Sequence, residues 1–158
     1  MDTKPLGATG ESISELALGT IYLGSTIDRE TSFDILDAYY EAGGRLLDTA
    51  NNYPTWLDEY DEPESEYFVG EWLDQRGVRD EMTVATKLGF NPPKYDRSLA
   101  PDVISQSVDE SRERLGIDTI DLLYAHVDDP DTPQEATMEA FAEVVDAGKV
   151  RHLGASNF

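Results

Sequence analysis

The hydrophobic positions of the chain fall into two alternating patterns. Short, nearly continuous apolar runs predict strands, and the longer segments between them repeat their apolar positions at helical spacing. Five strands are predicted, at residues 15–20, 45–50, 82–89, 119–126 and 150–156, with four amphipathic helices between them. This order of elements is typical of a parallel α/β fold.

The fourth predicted helix begins in the sequence TPQE. Thr132 is expected to cap its N-terminus, Pro133 to occupy the first helical position and Glu135 to complete a capping box. The side chains expected on its buried face are Met138, Phe141 and Val145. Such a stripe indicates core packing rather than a cofactor site.

The connections between the elements refine the predicted fold class. The residues around Gly7 and Gly10 predict a short hairpin before the first parallel strand. The connections after the second and third strands are long, at residues 51–64 and 89–98, whereas the connections that return from helix to strand are short. Long loops on one side are typical of a (β/α) barrel whose upper face carries a site. We therefore predict a TIM-barrel-type α/β fold, truncated to about five strands and four helices.

The composition narrows the classes of function. The 158-residue chain has 33 acidic and 12 basic residues, and its net charge of −21 would repel nucleic acids and anionic membranes. The absence of cysteine excludes disulfides and thiolate zinc sites, and the other potential ligands lack metal-binding spacing. No segment reaches the roughly 18 apolar residues of a membrane span, and the N-terminus lacks a signal-peptide pattern, so a cytoplasmic protein is expected.

The acidic residues are spread over every segment of the chain rather than gathered in a tail. This distribution predicts a solvated acidic surface whose self-repulsion would be screened in concentrated salt. A salt-loving source is one hypothesis, and an ordinary acidic bacterial protein is the alternative.

Three successive predicted strands end in an ionisable side chain. Asp48 ends the second strand, Lys87 the third and His126 the fourth, and Tyr53 follows Asp48 after a short polar segment. Because the carboxyl ends of parallel strands meet at one rim of a barrel, these side chains are expected to converge. Taken singly, each has an ordinary explanation as a capping, solvated or loop residue, but together they indicate a site. We call Asp48, Tyr53, Lys87 and His126 the rim group.

Four segments around these strand ends form a set: GGRLLDTANNY, VATKLG, LLYAHVDD and GKVRHLGASNF. Together they resemble the aldo-keto reductase family. The first three are similar to the family segments that hold the catalytic Asp and Tyr, the Lys and the His, and the fourth to the segment whose Ser-Asn pair holds the nicotinamide. The resemblance extends over essentially the whole chain. It implies a (β/α)8 barrel that binds NADPH or NADH and reduces small-molecule carbonyl compounds.

The resemblance also implies a role for each member of the rim group. Tyr53 would be the general acid that protonates the carbonyl oxygen while hydride moves from the nicotinamide to the carbonyl carbon. A phenol is a weak acid at neutral pH, and the ammonium of Lys87 would stabilise the phenolate. Asp48 would hold Lys87 through an ion pair, and His126 would donate a hydrogen bond to the substrate oxygen.

Further residues are implied for the cofactor and the substrate. Ser156 and Asn157 would hydrogen-bond the carboxamide of the nicotinamide. The residues expected near the cofactor at the other strand ends are Gly19, Thr20 and Asp48. Three aromatic residues on rim loops are candidates for substrate contacts or, alternatively, for loop anchors: Tyr22, Trp56 and Phe90.

The length of the chain bears on its activity. The sequence ends at Phe158, after the fifth predicted strand, whereas a complete barrel takes roughly 250 residues. We therefore expect residues 1–158 to form one domain, the N-terminal part of a reductase barrel, with little activity alone. Its unpaired sheet edges favour a complementary chain or self-association.

Two other functions remain open at this stage. Lys87 could form a Schiff base with a carbonyl substrate, as strand-end lysines do in aldolase-like barrels. Alternatively, the half barrel could be a non-catalytic binding or assembly subunit that retains the site residues without using them.

Overall fold

A computed structural model describes residues 1–57, 59, 63–92 and 96–157. Within this part of the chain the strands are β1 (Thr3–Pro5), β2 (Ser12–Ser14), β3 (Ala17–Gly19), β4 (Leu46–Asp48), β5 (Thr83–Leu88), β6 (Ile120–Ala125) and β7 (Val150–Ala155). The α-helices are α1 (Arg29–Glu41), α2 (Glu64–Arg76), α3 (Pro101–Leu115) and α4 (Gln134–Asp146), with a 3-10 turn at Arg79–Glu81. None of these helices combines the length and the apolar content needed to cross a membrane.

The strands form a hairpin and a parallel sheet. β1 and β2 pair antiparallel, which confirms the predicted N-terminal hairpin. β3 to β7 lie side by side in chain order, and every neighbouring pair is parallel. An α-helix connects each of these strands to the next. The predicted α/β architecture is therefore confirmed, and it is consistent with a (β/α)8 barrel truncated after the fifth strand.

The two faces of the parallel sheet have different partners. The face that packs on the helices contributes to the main core, with Leu47, Val84 and Leu123 all inaccessible to solvent. The opposite face carries a smaller apolar cluster, in which Leu46 packs with Ile13 of the hairpin. Since successive strand residues point to opposite faces, this alternation directs Asp48 and Lys87 away from the helices.

A buried ion pair joins helices α2 and α3. Arg114 Nε lies 2.7 Å from Glu66 Oε2, and the side chains are 9% and 0% exposed. The other carboxylate oxygen of Glu66 accepts a hydrogen bond from Thr86 Oγ1 at 2.6 Å. The pair therefore ties both helices to β5, next to the strand position that carries Lys87.

The start of α4 differs from the sequence prediction. The helix begins at Gln134 with Pro133 as its N-cap, and no side chain caps it. Thr132 lies one residue before the N-cap, and its side chain hydrogen-bonds the carboxylate of Asp129. The predicted position of Met138 in the core is also wrong, since Met138 is 57% exposed. The buried face of α4 consists of Thr137, Ala140, Phe141 and Val144.

Candidate functional site

The rim group lies at the carboxyl ends of three neighbouring strands. Asp48 is the last residue of β4, Lys87 is the penultimate residue of β5, and His126 directly follows β6. Tyr53 lies in the turn that leaves β4. The structure brings all four side chains together, because the parallel strand order places the three strand ends side by side.

Lys87 makes the most contacts within this group. Its ammonium donates to Asp48 Oδ1 at 2.9 Å, to the carbonyl of Thr49 at 2.7 Å and to the hydroxyl of Tyr53 at 3.2 Å. An ammonium has three N–H donors, so all of them are used. Lys87 is only 7% exposed, and the Asp48 carboxylate compensates a charge that would be costly to bury alone.

The hydroxyl of Tyr53 keeps its own proton available. It accepts a hydrogen bond from Lys87, and within the described residues it donates to no protein acceptor. The ammonium of Lys87 also lies 4.8 Å from the centre of the Tyr53 ring. The positive charge of Lys87 therefore faces both the hydroxyl and the ring of Tyr53.

His126 is a neutral imidazole near physiological pH. Burial, with a smaller contribution from the positive charge of Lys87, lowers the pKa of His126 to about 4, and the negative charge of Asp48 opposes both effects. Its Nδ1 is buried without a hydrogen-bond partner among the described residues. A neutral imidazole has one N–H donor and one acceptor nitrogen, so the ring can donate one hydrogen bond to a ligand.

Aromatic rings form a continuous wall beside these polar groups. The Tyr53 ring meets His126 edge to face at a centroid distance of 6.1 Å, and Trp56 packs on Tyr53 in the same manner at 5.7 Å. Phe90 extends the wall beyond His126, at 6.1 Å. Tyr22 makes no ring contact or side-chain hydrogen bond with this wall within the described part of the chain, and it is 43% exposed. Two of the three aromatic candidates therefore lie at the site.

A cavity of about 320 Å³ opens beside the rim group. Its polar lining comes from Asp48, Lys87, Tyr124 and Ser156, and apolar side chains of the strands form the rest. Ligand pockets have volumes of about 300 to 1,000 Å³, so this space suits a nicotinamide ring but not a whole dinucleotide. The cavity borders Asp48 and Lys87 of the rim group, whereas Tyr53 and His126 are not among its lining residues.

Ser156 and Asn157 lie at the same rim, just beyond β7. The backbone N–H of Ser156 donates to the Ala125 carbonyl at 2.9 Å, which extends the strand pairing to this residue. The side-chain amide of Asn157 donates to the His126 carbonyl at 2.9 Å and to Ser156 Oγ at 3.1 Å. Asn157 has φ of 58°, a left-handed conformation that Asn tolerates better than most residues. The pair is thus fixed against His126.

The two candidates at the end of β3 differ from each other. Gly19 is exposed, and a Cβ added to it would meet no atom within 4 Å, so open space lies above this strand end. Thr20 is completely buried, and its hydroxyl lies 2.7 Å from Ser65 Oγ. The side chain of Thr20 is therefore directed into the protein rather than towards the cavity.

Tyr124 is a site residue that the sequence analysis missed. It lies beside Lys87 in the β5–β6 register and lines the cavity. Burial and the negative charge of Asp48 raise the pKa of Tyr124, and Lys87 opposes them. Strand alternation could have identified Tyr124, because it precedes His126 by two residues and shares its face.

The comparisons with known proteins all indicate the same family. A sequence model of the Aldo/keto reductase family matches residues 15–158. The norsolorinic acid reductase stcV of Emericella nidulans is 36% identical over 94% of this chain and 40% of its own length. The aldo-keto reductase str7 of Strobilurus tenacellus is 35% identical over 96% of this chain and 45% of its own length.

A third relative carries a cofactor in its name. The aryl-alcohol dehydrogenase [NADP(+)] of Phanerodontia chrysosporium is 35% identical over 94% of this chain and 42% of its own length. The chain thus spans less than half the length of these three curated relatives.

Proposed function

Since the chain belongs to the aldo/keto reductase family of oxidoreductases, we propose that residues 1–158 form the part of an NAD(P)H-dependent carbonyl reductase that carries its acid–base chemistry. The substrates are small aldehydes or ketones, which the rim group reduces to alcohols. One observation carries this proposal: a buried lysine lies 3.2 Å from a tyrosine hydroxyl and 2.9 Å from an aspartate carboxylate.

Tyr53 supplies the proton. Its hydroxyl donates to the carbonyl oxygen of the substrate and becomes a phenolate. Lys87 already donates a hydrogen bond to the Tyr53 hydroxyl oxygen at 3.2 Å. The negative charge of the phenolate therefore develops beside an ammonium that is already in place. Asp48 balances the charge of Lys87 before the reaction, and its ion pair at 2.9 Å also fixes the position of the ammonium.

His126 orients the substrate. Because its pKa is lowered to about 4, the neutral ring keeps one N–H for the carbonyl oxygen and carries no charge of its own. A hydrogen bond from this ring and the proton of Tyr53 reach the same oxygen from adjacent sides. The aromatic wall of Trp56 and Phe90 favours flat, apolar substrates over charged ones.

A nicotinamide cofactor supplies hydride to the carbonyl carbon when it is bound. The residues that would hold its reactive end are Ser156 and Asn157, with Asp48, which lines the same cavity as Ser156, and the open strand end at Gly19. NADPH is the expected form, because one relative is named for NADP(+). The hydrogen bond from Asn157 to the carbonyl of His126 links the cofactor side of the site to the substrate side.

A Schiff-base mechanism at Lys87 is less consistent with the same geometry. A nucleophilic amine must be deprotonated and free to attack. Here three acceptors occupy the ammonium, and one of them is a carboxylate. The arrangement stabilises a charged lysine, which is an electrostatic group rather than a nucleophile.

A barrel of full length is the appropriate test material. The completed barrel is this chain joined to the C-terminal part of the Phanerodontia chrysosporium relative. It should oxidise NADPH when an aromatic aldehyde is added, and borohydride should trap no substrate on Lys87. Borohydride-trapped adducts at Lys87 without NADPH oxidation would favour the aldolase-like function. A folded barrel that neither binds NADPH nor forms adducts would favour the assembly subunit.

A further inference from the structure

Three buried hydroxyl groups lie behind the rim group and take no part in the proton chemistry. They belong to Thr20, Thr49 and Ser65, each 0% exposed, and we call these three residues the hydroxyl cluster. Thr20 directly follows β3, Thr49 directly follows β4, and Ser65 lies in the first turn of α2. The hydroxyl cluster therefore joins two strand ends to the start of a helix.

The hydroxyl of Ser65 has three hydrogen-bond partners within the described residues. Its Oγ lies 2.7 Å from Thr20 Oγ1, 2.9 Å from Thr49 Oγ1 and 2.9 Å from the carbonyl oxygen of Thr20. A hydroxyl has one donor and two acceptor positions. Because a carbonyl only accepts, Ser65 donates to that carbonyl, and its oxygen can accept from the threonine hydroxyls. The Thr20 hydroxyl also lies 3.3 Å from the Asp48 carbonyl oxygen. One hydroxyl of Ser65 thus links both strand ends to α2.

The backbone of Ser65 holds Tyr53. Its N–H donates to the Tyr53 carbonyl at 3.2 Å. The first N–H groups of a helix have no partner within the helix, and the N-cap Pro63 provides no side-chain acceptor. The Tyr53 carbonyl thus accepts a hydrogen bond from the first turn of α2. This bond fixes the backbone that carries the Tyr53 side chain.

The hydroxyl cluster also contacts Lys87, through the backbone of Thr49. The carbonyl of Thr49 accepts a hydrogen bond from Lys87 Nζ at 2.7 Å. The backbone N–H of Thr49 donates to the Ala85 carbonyl on β5 at 2.9 Å. Ser65 therefore contacts Tyr53 through a backbone hydrogen bond and is connected to Lys87 indirectly, through Thr49.

We propose that Ser65 is a positioning residue, which sets the distance between the Tyr53 hydroxyl and the Lys87 ammonium. It touches neither substrate nor cofactor and acts only through these two side chains. This inference rests on the proposed function, because the distance matters only if Tyr53 donates a proton. A shift of about 1 Å at reacting groups can cost about 100-fold in rate.

The test compares Ser65→Ala with Ser32→Ala in the completed barrel. Ser32 is a matched control: it is also 0% exposed and helical, and its hydroxyl bonds the Ile27 carbonyl at 3.1 Å and the Gly24 N–H at 3.0 Å. Both variants lose a buried hydroxyl, but only Ser65→Ala removes the side-chain hydrogen bonds to Thr20 and Thr49 that hold the first turn of α2, and with it the backbone bond to Tyr53, in place. Thr49→Val is the second variant, because it removes one partner of Ser65 with little change in shape.

We expect Ser65→Ala to lower kcat about 10- to 100-fold, with a larger isotope effect from deuterated NADPH because hydride transfer becomes rate-limiting. The Kd for NADPH and the thermal midpoint should match those of Ser32→Ala. A kcat equal to that of Ser32→Ala would overturn the inference. If Ser65→Ala does not fold, Thr49→Val decides in its place: reduced kcat with unchanged NADPH binding supports the inference, and unchanged kcat overturns it.

Tyr53→Phe separates this inference from the proposed function. If Tyr53→Phe is nearly inactive while Ser65→Ala behaves like Ser32→Ala, only the positioning role is wrong. Full turnover by Tyr53→Phe would overturn both.

Discussion

His126 owes its neutral state to two neighbouring features of the site. Burial is the larger cause of its lowered pKa, and the ammonium of Lys87 adds to it, while Asp48 acts in the opposite direction. The protein therefore places a fixed positive charge at Lys87 and an uncharged donor at His126. In our proposal the proton comes from Tyr53, and His126 does not change its charge in the working pH range.

The lowered pKa of His126 predicts a pH-dependent stability. An unfolded histidine has a pKa of about 6.5, whereas the folded value is about 4. Between pH 6.5 and pH 4 the unfolded chain binds a proton that the folded chain does not. The stability that depends on a neutral His126 is therefore fully present above pH 6.5 and is lost as the pH falls towards 4. We expect wild type to lose about 1 to 3 kcal/mol more than His126→Gln over that interval.

Urea unfolding at a series of pH values measures this difference. The many carboxylates affect both proteins alike, so the comparison isolates His126. Curves for wild type and His126→Gln that run parallel from pH 6.5 to pH 4 would contradict the assigned pKa.

The rim group was predictable from the sequence, and the hydroxyl cluster was not. An ionisable residue at the end of an apolar strand is a conspicuous pattern, and three in succession point to one rim. Thr20, Thr49 and Ser65 lie on three separate segments and are ordinary residue types for turns and helix starts. Their association depends on how α2 packs against the ends of β3 and β4, which a pattern of hydrophobic positions does not specify.

Among the elements, α2 carries the strongest link between the site and the core. Its first turn contacts Tyr53 and the hydroxyl cluster, and its Glu66 pairs with Arg114 of α3. Removing one partner of a buried ion pair leaves an uncompensated charge, whereas an exposed pair contributes little. The chain offers an exposed pair that also involves α2: Glu71 of α2 pairs with Arg29 of α1, and the side chains are 43% and 56% exposed.

We predict that Glu66→Gln lowers the free energy of unfolding by about 3 kcal/mol, and that Glu71→Gln lowers it by about 1 kcal/mol or less. Both substitutions remove one negative charge from α2, so the overall charge of the two variants is the same. Chemical unfolding of each variant at one pH gives the comparison. Equal losses in the two variants would mean that Glu66 does not organise α2 and α3.

The limits of the elements were predictable to different degrees. Gly116 follows α3 in a left-handed conformation, as expected for a helix terminator. The predicted start of α4 was wrong, because the helix begins one residue later than the Thr132 cap implied, and the Thr132 hydroxyl bonds Asp129, three residues earlier in the chain. Ser and Thr side chains have several local hydrogen-bond partners available, and the sequence does not show which one they use.

At the scale of the whole molecule, part of the apolar surface has no cover within the described chain. β7 pairs with β6 on one side only. Leu153 on β7 is 40% exposed and Met138 on α4 is 57% exposed. Both border an apolar groove between these elements. The residues expected to hold the nicotinamide follow directly after this sheet edge.

The isolated 158-residue chain is therefore expected to bind NADPH weakly and to reduce carbonyls slowly or not at all. Its cavity holds only the nicotinamide end, and Ser156 and Asn157 lie beyond a strand with one free edge. Adding the remaining strands, in the same chain or as a separate polypeptide, should restore binding and rate. Fluorescence titration with NADPH measures the difference. Micromolar binding by a demonstrably monomeric isolated chain would contradict the prediction.

The net charge of −21 predicts that salt stabilises the protein. Raising the salt concentration from about 0.1 M to about 1 M shortens the Debye length from about 10 Å to about 3 Å, which screens repulsion between surface carboxylates. We expect the thermal midpoint to rise by several degrees in KCl over this range. A midpoint that stays constant or falls would argue against a salt-adapted surface.

A single-turnover measurement determines whether Tyr53 donates the proton in carbonyl reduction. The completed barrel and its Tyr53→Phe variant are saturated with NADPH, mixed with an aromatic aldehyde, and followed by nucleotide absorbance. We expect Tyr53→Phe to bind NADPH as tightly as wild type but to transfer hydride about 10²- to 10⁴-fold more slowly, because the hydroxyl acts in the transition state. Hydride transfer at the wild-type rate by Tyr53→Phe would contradict this expectation.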